Sequence, residues 1–163
     1  MLTVVKENDS SYSEKSTDYD SLWKNLIEEL FREFMQYFAP DLHAEINFES
    51  GASFIDRELH RLSMKSKKGS KYPDKVVEVS MKNGEVKYIL VHIEVQAIGN
   101  EEFAKRMFQY FYRLYDKYNN NEIYAIALLT DAMHKNHANK FEYSFYGTEL
   151  TYNCNTYKFH GKD

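Results

Sequence analysis

The sequence predicts an α/β fold: a mixed β-sheet flanked by helices, in the order αβββαβ with extra strands at the C-terminal end. Three observations carry this expectation. Leu22 to Phe38 and Glu101 to Tyr118 place apolar side chains at helical spacing. Between them, Tyr72 to Gln96 reads as two strands about Asn83-Gly84, the strongest short-range hairpin signal. After the second helix, Ile123 to Thr130 is a nearly continuous apolar run of strand length, as expected of a strand covered on both faces.

Each element has its own warrant. Residues 1–17 are rich in Ser and charge without sustained periodicity, and a disordered tail is expected. Asp18 and Asp20 offer N-caps for a first helix whose stripe is Leu22, Trp23, Leu26, Ile27, Leu30, Phe31, Phe34, Met35 and Phe38, ended by Pro40. Asp41 to Gly51 reads as a loop with at most one short turn of helix. Ser53 to Ser63 lacks clean alternation and is read as a strand, with a helix as the alternative, and Lys65 to Lys71, with Gly69 and Ser70, as a turn or loop. The hairpin is expected to close with a two-residue type I′ turn. Along its second strand Ile89, Val91, Ile93 and Val95 share one face, and Tyr88, Leu90, His92, Glu94 and Gln96 the other. Ile98-Gly99-Asn100 then breaks the chain. The second helix has the stripe Phe103, Met107, Tyr110, Phe111, Leu114, Tyr115 and Tyr118, with Arg106, Gln109, Arg113 and Lys117 on a polar flank. Phe141 to Leu150 and Tyr152 to Phe159, punctuated by Gly147 and Asn153, read as a final strand pair.

Residues 18–163 are expected to form one domain, large enough to bury roughly 70% of the surface its unfolded form exposes. The chain has 163 residues, 43% of them hydrophobic and 16% aromatic, so a core is within reach without covalent staples. Cys154 is the only cysteine, which excludes an intramolecular disulfide and a cysteine-clustered zinc site and fits a reducing, cytoplasmic compartment. Leu2 to Val5 is too short for a signal peptide, and no stretch approaches the ~18 apolar residues of a membrane span. The net charge of −4 argues against coating nucleic acid by bulk electrostatics. Locally the balance reverses: Arg57, Arg61, Lys65, Lys67, Lys68, Lys71 and Lys75 stand against only Glu58 and Asp74. Such a run, taken alone, is most simply a solvated loop.

The hairpin is also where chemistry concentrates. Asp74 shares a face with Val76, Glu78 and Ser80, and the turn returns it towards the end carrying Glu94. Two unit charges about 4 Å apart repel by ~4 kcal/mol at an effective dielectric of about 20, so converging carboxylates need a cation, a proton or a basic neighbour. Hard oxygen ligands suit Mg²⁺ or Mn²⁺, and such an ion can polarise a phosphoryl oxygen and activate water. The plainer reading makes Asp74 a strand-entry residue and Glu94 an exposed edge charge.

Tyr72-Pro73-Asp74, followed by Ile93-Glu94-Val95-Gln96 at the end of a hydrophobic strand, resembles the PD-(D/E)XK nuclease signature. Tyr19-Asp20-Ser21-Leu22-Trp23-Lys24, Phe54-Ile55-Asp56-Arg57-Glu58-Leu59, His92 to Gln96, Phe103 to Tyr110, Leu129-Thr130-Asp131 and Phe141 to Leu150 are similar to segments of the PD-(D/E)XK nuclease family transposases, the Rpn-like recombination-promoting nucleases. The likeness runs from about Tyr19 to Phe159. It implies a restriction-endonuclease-like core and metal-dependent DNA cleavage linked to transposition or recombination. Carried over, Asp74 and Glu94 would bind Mg²⁺ or Mn²⁺, the Val95 carbonyl would add a ligand, and Gln96 would fill a position where the superfamily has lysine. Glutamine can only hydrogen-bond where lysine could stabilise developing negative charge. Glu28, Glu29 and Asp20 are candidates for a further carboxylate. Arg57, Arg61, Lys67, Lys68, Lys71, Lys75, Arg106 and Gln109 are the candidate DNA contacts, although for Arg106 and Gln109 a solvated helix flank is the plainer reading. DNA is the expected partner and a homodimer a further expectation. Members of this group usually continue past the position matching Asp163, so a truncated form and a gene remnant are both open expectations.

The alternative reading is the same fold without catalysis, binding DNA or a protein. Other motifs carry less: His92-x-Glu94 lacks the Cys-x-x-Cys partner of a zinc deaminase, His134 and His137 fall in an expected loop, and no phosphate-binding glycine loop or nucleophile elbow occurs.

Overall fold

The computed structural model describes residue 22 and residues 25–55, 75–94, 100–119, 121–129 and 140–158. Helix α1 is Phe31–Phe38, preceded by helical residues 25–29 and a turn at Leu30. Helical hydrogen bonds continue across that turn, from Leu30 N to Leu26 O at 2.8 Å and from Phe34 N to Leu30 O at 2.8 Å. The expected stripe is wider than the face that packs. Ile27, Phe31, Phe34, Met35 and Phe38 are buried, whereas Leu22, Leu26 and Leu30 stand at the surface.

Pro40 does more than stop this helix. It occupies the first turn of α2, Pro40–Glu45, where its missing N–H costs no intrahelical bond. A 3₁₀ turn, Phe48–Ser50, follows, capped by the Asn47 side chain, which accepts from Glu49 N at 3.1 Å and Ser50 N at 3.3 Å. The loop expected from Asp41 to Gly51 is therefore largely helical.

The strands are β1 (Ala52–Phe54), β2 (Lys75–Ser80), β3 (Val86–Glu94), β4 (Ile123–Leu129), β5 (Lys140–Phe145), β6 (Thr148–Asn153) and β7 (Asn155–Lys158). Helix α3, Asn100–Lys117, connects β3 to β4. Five strands form one mixed sheet in the order β1-β2-β3-β4-β7. The β1-β2 and β2-β3 pairs are antiparallel, and the β3-β4 and β4-β7 pairs parallel. The order αβββαβ is thus present, within an α/β architecture whose sheet is flanked by helices. Of the strand expected over Ser53 to Ser63, β1 covers only the beginning, and residues from 56 onward lie outside the described region, as does the 1–17 tail.

Alternation along β3 sorts two cores. Val77, Val79, Ile89, Val91, Ile93, Ile126 and Leu128 join Phe31, Phe34, Met35 and Phe38 of α1. Val76, Tyr88, Leu90, Ala125, Ala127 and Leu129 join Phe103, Met107, Tyr110 and Leu114 of α3. β4 is buried on both faces, as its continuous apolar run predicts.

The β2-β3 connection differs from the expected two-residue type I′ turn. Ser80 pairs with Val86, Met81 N donates to Glu85 O at 2.8 Å, and Gly84 N donates to Met81 O at 3.0 Å, leaving Lys82, Asn83 and Gly84 as a three-residue loop. Gly84 alone takes positive φ, at 88°, and Asn83 Oδ1 instead accepts from Glu85 N at 2.9 Å. This is the pattern of a turn followed by a left-handed residue. The type I′ requirement is met elsewhere: Tyr146 and Gly147 have φ of 42° and 85° at the tip of the β5-β6 ribbon.

The expected final strand pair is corrected in its partners. β5 pairs with β6 in a separate two-stranded ribbon, while β7 leaves it to join the main sheet beside β4. Phe141 stacks on Phe108 of α3 at 5.2 Å, and Tyr152 meets Phe111 at 5.2 Å, so aromatic packing seats the base of the ribbon. β7 is held by Asn155 Nδ2 donating to Ala125 O at 3.0 Å and by Tyr157 Oη donating to Phe38 O at 2.8 Å.

Two measurements check this packing. Ile126→Ala, at a fully buried position of β4, is expected to lower unfolding free energy by about 2–5 kcal/mol in denaturant titration. Burial, with Tyr157 beside it, raises the Tyr124 phenol to about 12, and burial followed by Cys154 raises that of Tyr152. The unfolded chain then ionises first, so both phenols contribute stability that is full below about pH 10 and is lost as pH rises through their folded values. Tyr124→Phe and Tyr152→Phe should each flatten that alkaline decline in Tm.

Candidate functional site at the carboxyl end of β3

Glu94 is the last residue of β3, and its backbone stands opposite Leu129, the last residue of β4. Two adjacent parallel strands thus present their carboxyl ends together, the edge at which open α/β sheets bind ligands. β2 begins at the same end, where Lys75 pairs with Val91. Asp74 lies immediately before it, outside the described residues, as do Val95 and Gln96. Asp20, Arg57, Arg61, Lys67, Lys68 and Lys71 are also outside them, together with His134 and His137.

The described side chains here form a contact that sequence spacing alone did not reveal. Lys75 Nζ donates to Glu28 Oε2 at 3.0 Å, across 47 positions of sequence. The Lys75 side chain is 10% exposed and that of Glu28 52%, so the pair runs from the sheet edge to the surface. Lys75 Nζ also lies 5.5 Å from the centroid of the Phe54 ring, within cation–π range. Among the two described helix carboxylates weighed in the sequence, Glu28 reaches this end of β2 and Glu29 is exposed. Lys75, expected among the DNA-facing cations, is buried and has Glu28 as an ion-pair partner. No local signal in the sequence discloses this, because the pairing depends on how the first helix crosses the sheet.

On the opposite face His92 is 3% exposed, with its ring 5.9 Å from Phe103 and 5.7 Å from Tyr110 of α3. It acts as a packed aromatic of that core. Arg106 and Gln109 are half-buried on α3, between the solvated flank of the plainer expectation and the core. Cys154 is half-buried 3.9 Å from Thr156 Oγ1, and burial pushes its thiol up, away from thiolate chemistry.

Among the described residues no group of three or more His, Cys, Asp or Glu is placed to hold a metal ion. No helix among them is long and apolar enough to cross a membrane. Compared with protein families, curated proteins and solved structures, the chain matches none.

The Lys75–Glu28 pair is tested by asymmetry. Glu28→Gln removes a carboxylate from a largely buried ammonium and should cost up to about 1 kcal/mol, whereas Lys75→Met, which fills the same space without a charge, should cost less. Equal losses in denaturant titration would show that the pair contributes only packing.

Proposed function

We propose that the protein is a metal-dependent DNA endonuclease of restriction-endonuclease-like type, acting in transposition or recombination. The observation that carries this reading is the phase of the hairpin. Even-numbered positions of β2 stand opposite even-numbered positions of β3, as Glu78 and Tyr88 do with a 3.1 Å hydrogen bond. Asp74 and Glu94 have that same parity, one just before β2 and one closing β3.

The donors in this reading are the Asp74 and Glu94 carboxylates and the Val95 carbonyl, a hard oxygen set of the kind that suits Mg²⁺ or Mn²⁺. When bound, the ion would polarise the scissile phosphate and lower the pKa of a water. The chain's own groups would position the substrate. Gln96 would hydrogen-bond the attacking water or a phosphate oxygen, and Arg106 and Gln109, with the Arg57 to Lys71 segment, would meet the DNA backbone. Cytoplasmic location and action as a homodimer complete the proposal.

A second reading, a DNA-binding or protein-binding module without catalysis, is favoured by two observations. Gln96 supplies no cation at the position where lysine would stand. Lys75, at the start of β2, is ion-paired with Glu28.

Supercoiled plasmid incubated with purified protein in Mg²⁺ or Mn²⁺ separates the two. Nicking or cutting that stops with chelator and falls about a hundredfold or more in Asp74→Ala and Glu94→Ala is expected, the scale of removing a group that stabilises developing charge. Salt-dependent DNA binding without cleavage would establish the second reading. Cleavage undiminished in both variants would remove these carboxylates from the mechanism.

A further inference from the structure

A cleft lies at the other end of the hairpin, beside α2 and the β2-β3 loop. Its volume is about 420 Å³, and Arg32, His43, Asn47, Phe48, Glu49 and Lys82 line it. That is within the range of small-molecule sites, about 300–1,000 Å³. Backbone bonds fix its walls. Ile46 bridges to Met81, Asn47 N donates to Ser80 O at 2.8 Å, and Lys82 N donates to Glu45 O at 2.8 Å. These tie the loop bearing Lys82 to the segment bearing Asn47 and Phe48. Phe48 anchors the other wall, with the Arg32 guanidinium 5.3 Å and the His43 ring 5.1 Å from its ring centre.

The cleft holds more cations than carboxylates. Arg32 and Lys82 make no ion pair among the described residues, and Glu49 is the single carboxylate among the six. His43 Nε2 is buried with no hydrogen-bond partner. The Asn47 carbonyl oxygen is spent on capping Glu49 and Ser50, and its amide donors bond to no described residue. Two cations, one carboxylate and the His43 and Asn47 side chains thus border one cavity, which carries net positive charge in a chain of net charge −4.

We propose that this cleft binds a small phosphate monoester. Such a group carries a charge of about −1.5 to −2 near neutral pH and several strong acceptor oxygens, which matches two cations with additional donors. A carboxylate, with two oxygens rather than three, would leave more of these donors unused. Ile46 and Phe48 supply apolar surface for the organic part, and exposed Glu49 turns the anion towards Arg32 and Lys82. The site stands apart from Lys75 and Glu94 and does not depend on the nuclease reading.

Phenyl phosphate titrated into the full chain by calorimetry, and followed by the ring ¹⁵N resonances of His43, tests the assignment. Saturable one-to-one binding with a shift of the His43 ring is expected, with phenol giving neither. Arg32→Gln and Lys82→Gln change exposed side chains, should keep the wild-type Tm, and should each weaken binding about tenfold, the worth of a hydrogen bond to a charged group. Absence of saturable binding, or wild-type affinity in the Arg32→Gln/Lys82→Gln double variant, would overturn the proposal.

Discussion

Burial of both faces of the paired β3 and β4 strands is the constraint on which the rest of the structure depends. Ile89, Leu90, Val91, Ile126, Ala127 and Leu128 are fully buried, so neither face of the sheet centre can be left to water. Parallel pairing requires a crossover, and α3 provides it while covering one face. The first helix then covers the other. The remaining strands extend a sheet whose centre is already closed above and below.

The same arrangement gives the hairpin two chemically different ends. At one end the carboxyl termini of β3 and β4 lie together and Lys75 meets Glu28. At the other, a three-residue loop is tied by backbone bonds to the segment between α2 and β1, forming a basic cleft. β2 and β3 span both, so their register sets which side chains share a face at each end. A two-residue turn would have set Ser80 opposite Lys87. The third loop residue sets it opposite Val86, and this single step brings even positions of both strands together.

Much of the fold was legible because it rests on local periodicity. The α1 stripe, the long α3 stripe, the alternation of β3 and the continuous run of β4 each reflect one element against one apolar surface. The errors fall where two signals compete. Asn83-Gly84 has the composition of a type I′ turn, yet Asn83 uses its side chain to accept from Glu85 N, and the loop takes a third residue. Tyr146-Gly147 lacks the favoured asparagine but adopts positive φ at both positions. Pro40 reads as a terminator and also begins a helix, since proline fits a first turn as well as it ends the preceding one.

The sequence by itself determined the α/β class, the order of the helices and central strands, the hairpin and the division of β3 into two apolar faces, because each follows from spacing within one segment. It also offers Asp74 and Glu94 as candidates for the proposed metal-assisted chemistry. Only the tertiary structure decided that β7 joins β4 while β5 and β6 form their own ribbon, that Glu28 reaches Lys75, and that Arg32, His43 and Lys82 border one cleft. These are meetings between residues remote in the chain, set by how helices cross the sheet and how many residues a loop contains. No periodicity within a segment encodes them.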